Sequence, residues 1–267
     1  MAYFSNSKKF GLLIFALLFF SHIALASENA GAFMERLPSA RATGLGSNFV
    51  ATSKDSSSIF WNPAGLSNIV SREIQVMTKL AFETHYKSIQ ICSPIDETLF
   101  IGIGYISADT PGIMEVTAKD ANSERWIDTG NTFSYLGQAL YLSAAKNILD
   151  SLSLGVSLKI VQENLYNNQA QGFGLDYGMR FALNSNIQLG LNYQNILTPQ
   201  MRWNTASENI DIIPSNIKAG IAINLLDNKL LICSDFNFRQ NRPTKFGLGS
   251  ELTICEFLPI RCGFESD

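Results

Sequence analysis

From about Ile74 onward, apolar and small or polar residues alternate with a period of two, in segments of roughly nine to twelve residues separated by turn formers. In Gly172–Leu183 one face carries Phe173, Leu175, Tyr177, Met179, Phe181 and Leu183, and the other carries Gly172, Gly174, Asp176, Gly178, Arg180 and Ala182. Leu152–Ile160, Ile187–Gln194, Ile217–Leu225 and Lys245–Ile254 divide in the same way. The pattern predicts eleven strands, at about 73–83, 86–93, 99–107, 132–145, 152–163, 172–183, 187–196, 216–225, 229–239, 244–254 and 259–265.

A soluble sandwich also alternates, but its solvent face usually carries many lysines and glutamates. Here the polar face is mostly Gly, Ser, Asn and Gln, which suits a wet, crowded lumen, while the opposite face suits lipid. Only a closed sheet or a helix satisfies its backbone in hydrocarbon. The expected fold is all-β: a transmembrane antiparallel β-barrel spanning residues 71–267, with outer-membrane lipid around it.

The connectors support this. Turns near 95–97, 147–151, 184–186, 227–228 and 256–259 read as short, and 109–130, 164–171, 198–214 and 240–243 as longer connections. Short periplasmic turns facing longer outer loops are the outer-membrane pattern. Eleven is odd, whereas bacterial single-chain barrels are even. Because the sequence stops in what reads as mid-strand after Phe264, the barrel is expected to be incomplete at its C-terminus, with a gap between its first and last strands.

Residues 1–26 read as a signal peptide: Lys8 and Lys9, an apolar run Phe10–Phe20, then Ala24-Leu25-Ala26 as a cleavage site. Net charge is -3, with 16% charged residues, so neither a nucleic-acid partner nor an anionic surface is expected. Cys92, Cys233, Cys255 and Cys262 form no CxxC pair, and His85 is the sole histidine after residue 26, so no metal site and no cofactor are expected. The cysteines read as free thiols, with a Cys255–Cys262 bridge as the lesser alternative.

Residues 27–70 do not alternate. Asp55 is placed to cap a short helix over Ser56–Trp61, Pro63 holds Asn62 extended, and Gly65 suits a positive φ in the next turn. Such a small-residue segment either plugs the lumen or hangs below it. The stretches Gly31-Ala32-Phe33, Leu37-Pro38-Ser39-Ala40-Arg41-Ala42-Thr43-Gly44-Leu45-Gly46, Phe49-Val50-Ala51 and Trp61-Asn62-Pro63-Ala64-Gly65-Leu66 resemble the N-terminal signature of the PorV/PorQ family, within the FadL-like long-chain fatty acid transporters. This resemblance implies a 14-stranded barrel with an N-terminal hatch in the lumen and, in Asn62, Pro63, Ala64, Gly65 and Leu66, the motif that controls passage. It implies uptake of a hydrophobic small molecule across the cell outer membrane. The alternative it carries is a PorV-like accessory role, in which secretion-system proteins dock on the barrel during type IX secretion.

No enzyme is expected. Asp176, Asp235 and Glu251 lie on separate strands beside Lys159, Arg180, Lys218 and Arg261, which reads as charge pairing in the lumen rather than an acid–base pair. Lys159, Asp176, Arg180, Lys218 and Glu251 are therefore the expected lumen-facing polar residues. Gly44-Leu45-Gly46 lacks the third glycine and the strand–helix context of a nucleotide loop.

Overall fold

The computed structural model describes residues 30–36, 39–119, 126–206, 209–240, 242–255 and 258–266. The expected signal peptide and the Leu37-Pro38 pair lie outside the described residues.

The strands are β1 (Glu73–Ala81), β2 (Thr84–Pro94), β3 (Leu99–Lys119), β4 (Trp126–Leu149), β5 (Leu152–Leu165), β6 (Asn168–Ala182) and β7 (Ile187–Leu197). They continue as β8 (Gln200–Trp203), β9 (Ile210–Ile212), β10 (Asn216–Leu225), β11 (Leu230–Arg239), β12 (Lys245–Cys255) and β13 (Leu258–Glu265). Eleven of them form one wall in the order β1-β2-β3-β4-β5-β6-β7-β10-β11-β12-β13, and the short β8 and β9 pair with each other and onto β6. Each ladder is antiparallel, as in an outer-membrane barrel. The eleven expected strands are thus the wall. Among the described residues no ladder joins β13 to β1, so the wall has two free edges, matching the expected gap.

Two expected long connections are instead largely strand, and a third holds a short hairpin. Between 109 and 130 the β3–β4 ladder continues past register shifts at Thr110/Ile113, Met114/Val116 and Val116/Lys119. Each bulge breaks the alternation while pairing persists, which hid these extensions. The 164–171 stretch is a two-residue turn between Leu165 and Asn168, with Tyr166 at φ 55°. The 198–214 stretch holds the β8–β9 hairpin.

The two faces of the wall differ as the alternation predicts. On β5 and β6, Leu158 and Phe173 are 56% and 66% exposed while Asp176 is 2% exposed. The exposed face is apolar around the wall, the pattern of a surface made for hydrocarbon rather than water. No described helix is long and apolar enough to cross a membrane.

The inner face is filled by residues 30–36 and 39–69. A 3-10 turn (Ala32–Arg36) precedes a short α-helix (Ala40–Gly44), whose Ala42 N–H donates to the Ser39 hydroxyl over 3.3 Å. A second α-helix (Ser58–Trp61) and a 3-10 turn (Pro63–Asn68) follow. This helix begins two residues later than expected, because the Asp55 carboxylate is used by the Ser57 N–H (3.0 Å) and hydroxyl (2.5 Å) and forms the preceding turn. Leu45, Phe49, Val50, Ile59, Phe60 and Leu66 are fully buried, each contributing about 1.5–3 kcal/mol of apolar burial.

The segment reaches both free edges. Ser56 donates to Glu73 Oε2 (2.9 Å) and Gln75 Oε1 (3.2 Å) on β1, and Asn48 Nδ2 donates to the Phe264 carbonyl (3.2 Å) on β13. Gly46, at φ +64°, lies backbone to backbone against Gly263 and Phe264, where a side chain on either glycine would collide with main chain. The segment therefore ties together the edges that no strand ladder joins.

Candidate functional site

The motif predicted to control passage lies deep inside the wall. Asn62 is fully buried and extended (φ -157°, ψ 102°), the conformation Pro63 demands of its predecessor. Its Nδ2 donates to the Val50 carbonyl (2.8 Å) and the Met179 carbonyl (3.2 Å), and its Oδ1 accepts from the Ala64 N–H (3.2 Å). One side chain thus closes the turn after the helix, joins it to an earlier stretch and fastens both to β6. Pro63 and Ala64 press on Gly155 of β5 and Gly178 of β6, which stand opposite each other in register. A Cβ on either glycine would overlap the motif, which explains glycine on the inner face here. Gly65 serves close approach too, and this corrects the expected positive φ: it lies in the 3-10 turn, with a Cβ position 2.6 Å from Ser58 Oγ and nearer still to Ser53 Oγ. Leu66 is buried against the same core.

The expected lumen-facing charges all lie on the inner side, but only some pair. Lys159 and Asp176 form a buried bridge at 2.7 Å, and Asp176 also accepts the Asn195 N–H at 2.7 Å. Asn195 reaches it from a register shift between β6 and β7, with φ 59°. Glu251 holds two cations, Arg41 at 2.9 Å and Arg261 at 2.6 Å. Arg180 is the first departure from the expected pairing: it bonds Gln188, and its Nε finds no partner among the described residues. Lys218 is the second, since its ammonium lies 5.2 Å over the Trp61 ring and makes no ion pair among the described residues.

Two kinds of space flank the packed motif. Toward the longer connections, a cavity of about 100 Å³ is lined by Met34, Trp61, Tyr141, Asn195, Lys218 and Asp235, among others. Toward the short turns, one of about 260 Å³ is bounded by Arg41, Lys54, Arg180, Gln188, Asn228 and Glu251. Residues 39–68 stand between them. Burial and the neighbouring Arg41 guanidinium hold the Lys54 ammonium below the usual lysine range.

Sequence reasoning did not single out Arg41, Trp61 or Asn195 as site residues. Arg41 meets Glu251 across 210 residues of sequence, a pairing no local pattern reveals. A weak signal for the cavity existed in the strand asparagines at 216 and 237. All four cysteines are free thiols.

No known family profile matches the chain, and no curated protein matches it. Solved structures do. The toluene transporter TbuX of Ralstonia pickettii aligns with a TM-score of 0.59 at 14% identity, covering 84% of this chain and 85% of that one. The Pseudomonas putida toluene transporter TodX gives 0.61 at 11%, covering 84% and 82%, and a Pseudomonas aeruginosa FadL homologue gives 0.55 at 10%, covering 81% and 76%. At such identities the likeness is one of fold: this chain has the fold of FadL-like outer-membrane β-barrel channels.

Proposed function

We propose that the protein is an outer-membrane channel for uptake of small hydrophobic molecules, with residues 39–68 as its hatch. The observation that carries this reading is the placement of the Asn62-Pro63-Ala64 turn, buried between a cavity on the long-loop side and another on the short-turn side. A segment in that position blocks passage, and its displacement would join the two spaces. The apolar outer face supports a site in the outer membrane. The shared fold with toluene transporters supports the passenger class. No group of His, Cys, Asp and Glu among the described residues could hold a metal ion.

The PorV-type reading, docking of secreted proteins on the barrel, has no particular observation in its favour and becomes an outcome of the test. Cells lacking their own hydrocarbon channel and producing this protein should accumulate radiolabelled toluene faster than cells without it. Equal rates at equal surface levels would overturn the uptake reading and favour docking.

A further inference from the structure

The long-loop cavity is lined in a way that a bare hydrocarbon does not satisfy. Asp235 is 6% exposed, and its Oδ2 accepts the Val50 N–H at 2.9 Å while its Oδ1 has no partner among the described residues. Gly220, its register partner on β10, leaves the space that this carboxylate occupies. The Lys218 ammonium, two residues from Gly220 on the same inner face, is held over the Trp61 ring and makes no hydrogen bond or ion pair among the described residues. The Trp61 indole N–H is also without a partner, as are the side-chain oxygens of Asn195, Asn216 and Asn237. Buried polar groups are almost always satisfied, so a cluster of orphans around one small space calls for a polar occupant. Met34, Ile213, Tyr141 and the Trp61 ring supply an apolar side to the space, and its other charged groups are already engaged: Lys159 by Asp176, Lys245 by Glu265, Glu35 by Arg242 and Arg239 by the Pro243 carbonyl.

We propose that this cavity selects small aromatic molecules bearing a hydroxyl group, the phenol class, over plain hydrocarbons. A hydroxyl both accepts and donates: its oxygen would take a hydrogen bond from Lys218 while its hydrogen goes to Asp235, and the ring would lie against Met34, Ile213 and Tyr141. Toluene in the same place would leave both charged groups dry and unpaired, which is costly in a confined site. A polyol would satisfy the polar groups and waste the apolar wall. The inference rests on the uptake reading and narrows its passenger.

The test is calorimetric titration of the full-length detergent-solubilised protein with phenol, toluene and glycerol, together with toluene uptake in cells. Phenol should bind at least tenfold more tightly than toluene, and glycerol should not bind measurably. Lys218→Met, which keeps the alkyl stem over Trp61, should lose that tenfold preference. The near-isosteric Asp235→Asn should reduce it too, and guards against a folding defect in the first variant. Phenol no tighter than toluene, glycerol as tight as phenol, or an intact preference in both variants would each overturn the proposal. If toluene still enters cells in that event, the uptake reading stands and only the selectivity fails; if no toluene enters, that reading falls as well.

Discussion

Two neighbouring regions of the lumen obey opposite rules. Around Asn62-Pro63-Ala64 the inner segment lies against Gly155 and Gly178 with no space for a methyl group, and both hydrogen-bonding ends of the Asn62 side chain are engaged. A few residues away, between Trp61 and the β10–β11 pair, there is open space rimmed by unpaired polar atoms. The first region has the economy of a protein core, where close packing and satisfied donors confer stability. The second gives up stability at several groups, and such forgone satisfaction is expected where a ligand completes the structure. Under the proposed function, the difference separates what would seal a channel from what it would recognise.

Breaking a fully satisfied buried pair should cost most. Lys159→Met removes the only cation bridged to Asp176 among the described residues and strands a buried carboxylate, so unfolding in denaturant should move by about 3–5 kcal/mol. Combining it with Asp176→Leu should recover most of that loss, since an apolar pair needs no compensation. A double variant as unstable as the single one would show that the Asp176–Asn195 contact, rather than the bridge, holds β6 to β7.

Next in size, Gly178→Val should push the Asn62 side chain off the wall at a cost of about 1–3 kcal/mol of overpacking. It should also raise the reactivity of a Ser58→Cys label toward a water-soluble maleimide. Unchanged labelling would mean that the motif tolerates more room than its contacts indicate.

In the open region the expectation reverses. Lys218→Met should change unfolding stability by less than about 1 kcal/mol, because it loses a cation–ring contact and an unbridged attraction to Asp235 but no hydrogen bond or ion pair among the described residues. A larger loss would place Lys218 among the structural groups and erase the distinction between the two regions.

The smallest effect lies outside the membrane, at the β2–β3 turn. The Thr98 and Leu99 backbone N–H groups hold the Asp96 carboxyl below its ordinary range. Because the folded value is the depressed one, the contribution of this turn is complete above about pH 4 and is lost as pH falls through the folded value. The protection of the Leu99 amide against hydrogen exchange, relative to its intrinsic rate at each pH, should therefore fall below that point, and in Asp96→Ala it should be low at every pH.

Much of the wall was legible in advance because a half-buried strand writes its two faces into alternate residues; the even positions of 172–182 turn inward as the pattern requires. The extensions of β3 and β4 were not, because bulges put successive residues out of phase with the alternation. Strands as short as β8 and β9 hold too few residues to show a period. For the inner segment, the extended Asn62 before Pro63 could be read locally, whereas the role of Gly65 could not: it depends on Ser53 and Ser58, brought together only by the folded segment. The cavity was least visible, since Trp61, Lys218 and Asp235 meet through tertiary structure alone.

The central claim is that residues 39–68 must move for a passenger to cross. Cys233 Sγ lies 3.3 Å from the Asn48 carbonyl, which sets the two residues side by side, and Asn48→Cys, in a background with Cys92, Cys255 and Cys262 replaced by serine, is the variant in which to form a reducible tether between residues 39–68 and the wall. Toluene uptake should fall to the level of cells without the protein when mass spectrometry shows the tether formed, and should return on reduction. Uptake equally fast in the tethered and reduced protein would contradict a moving hatch.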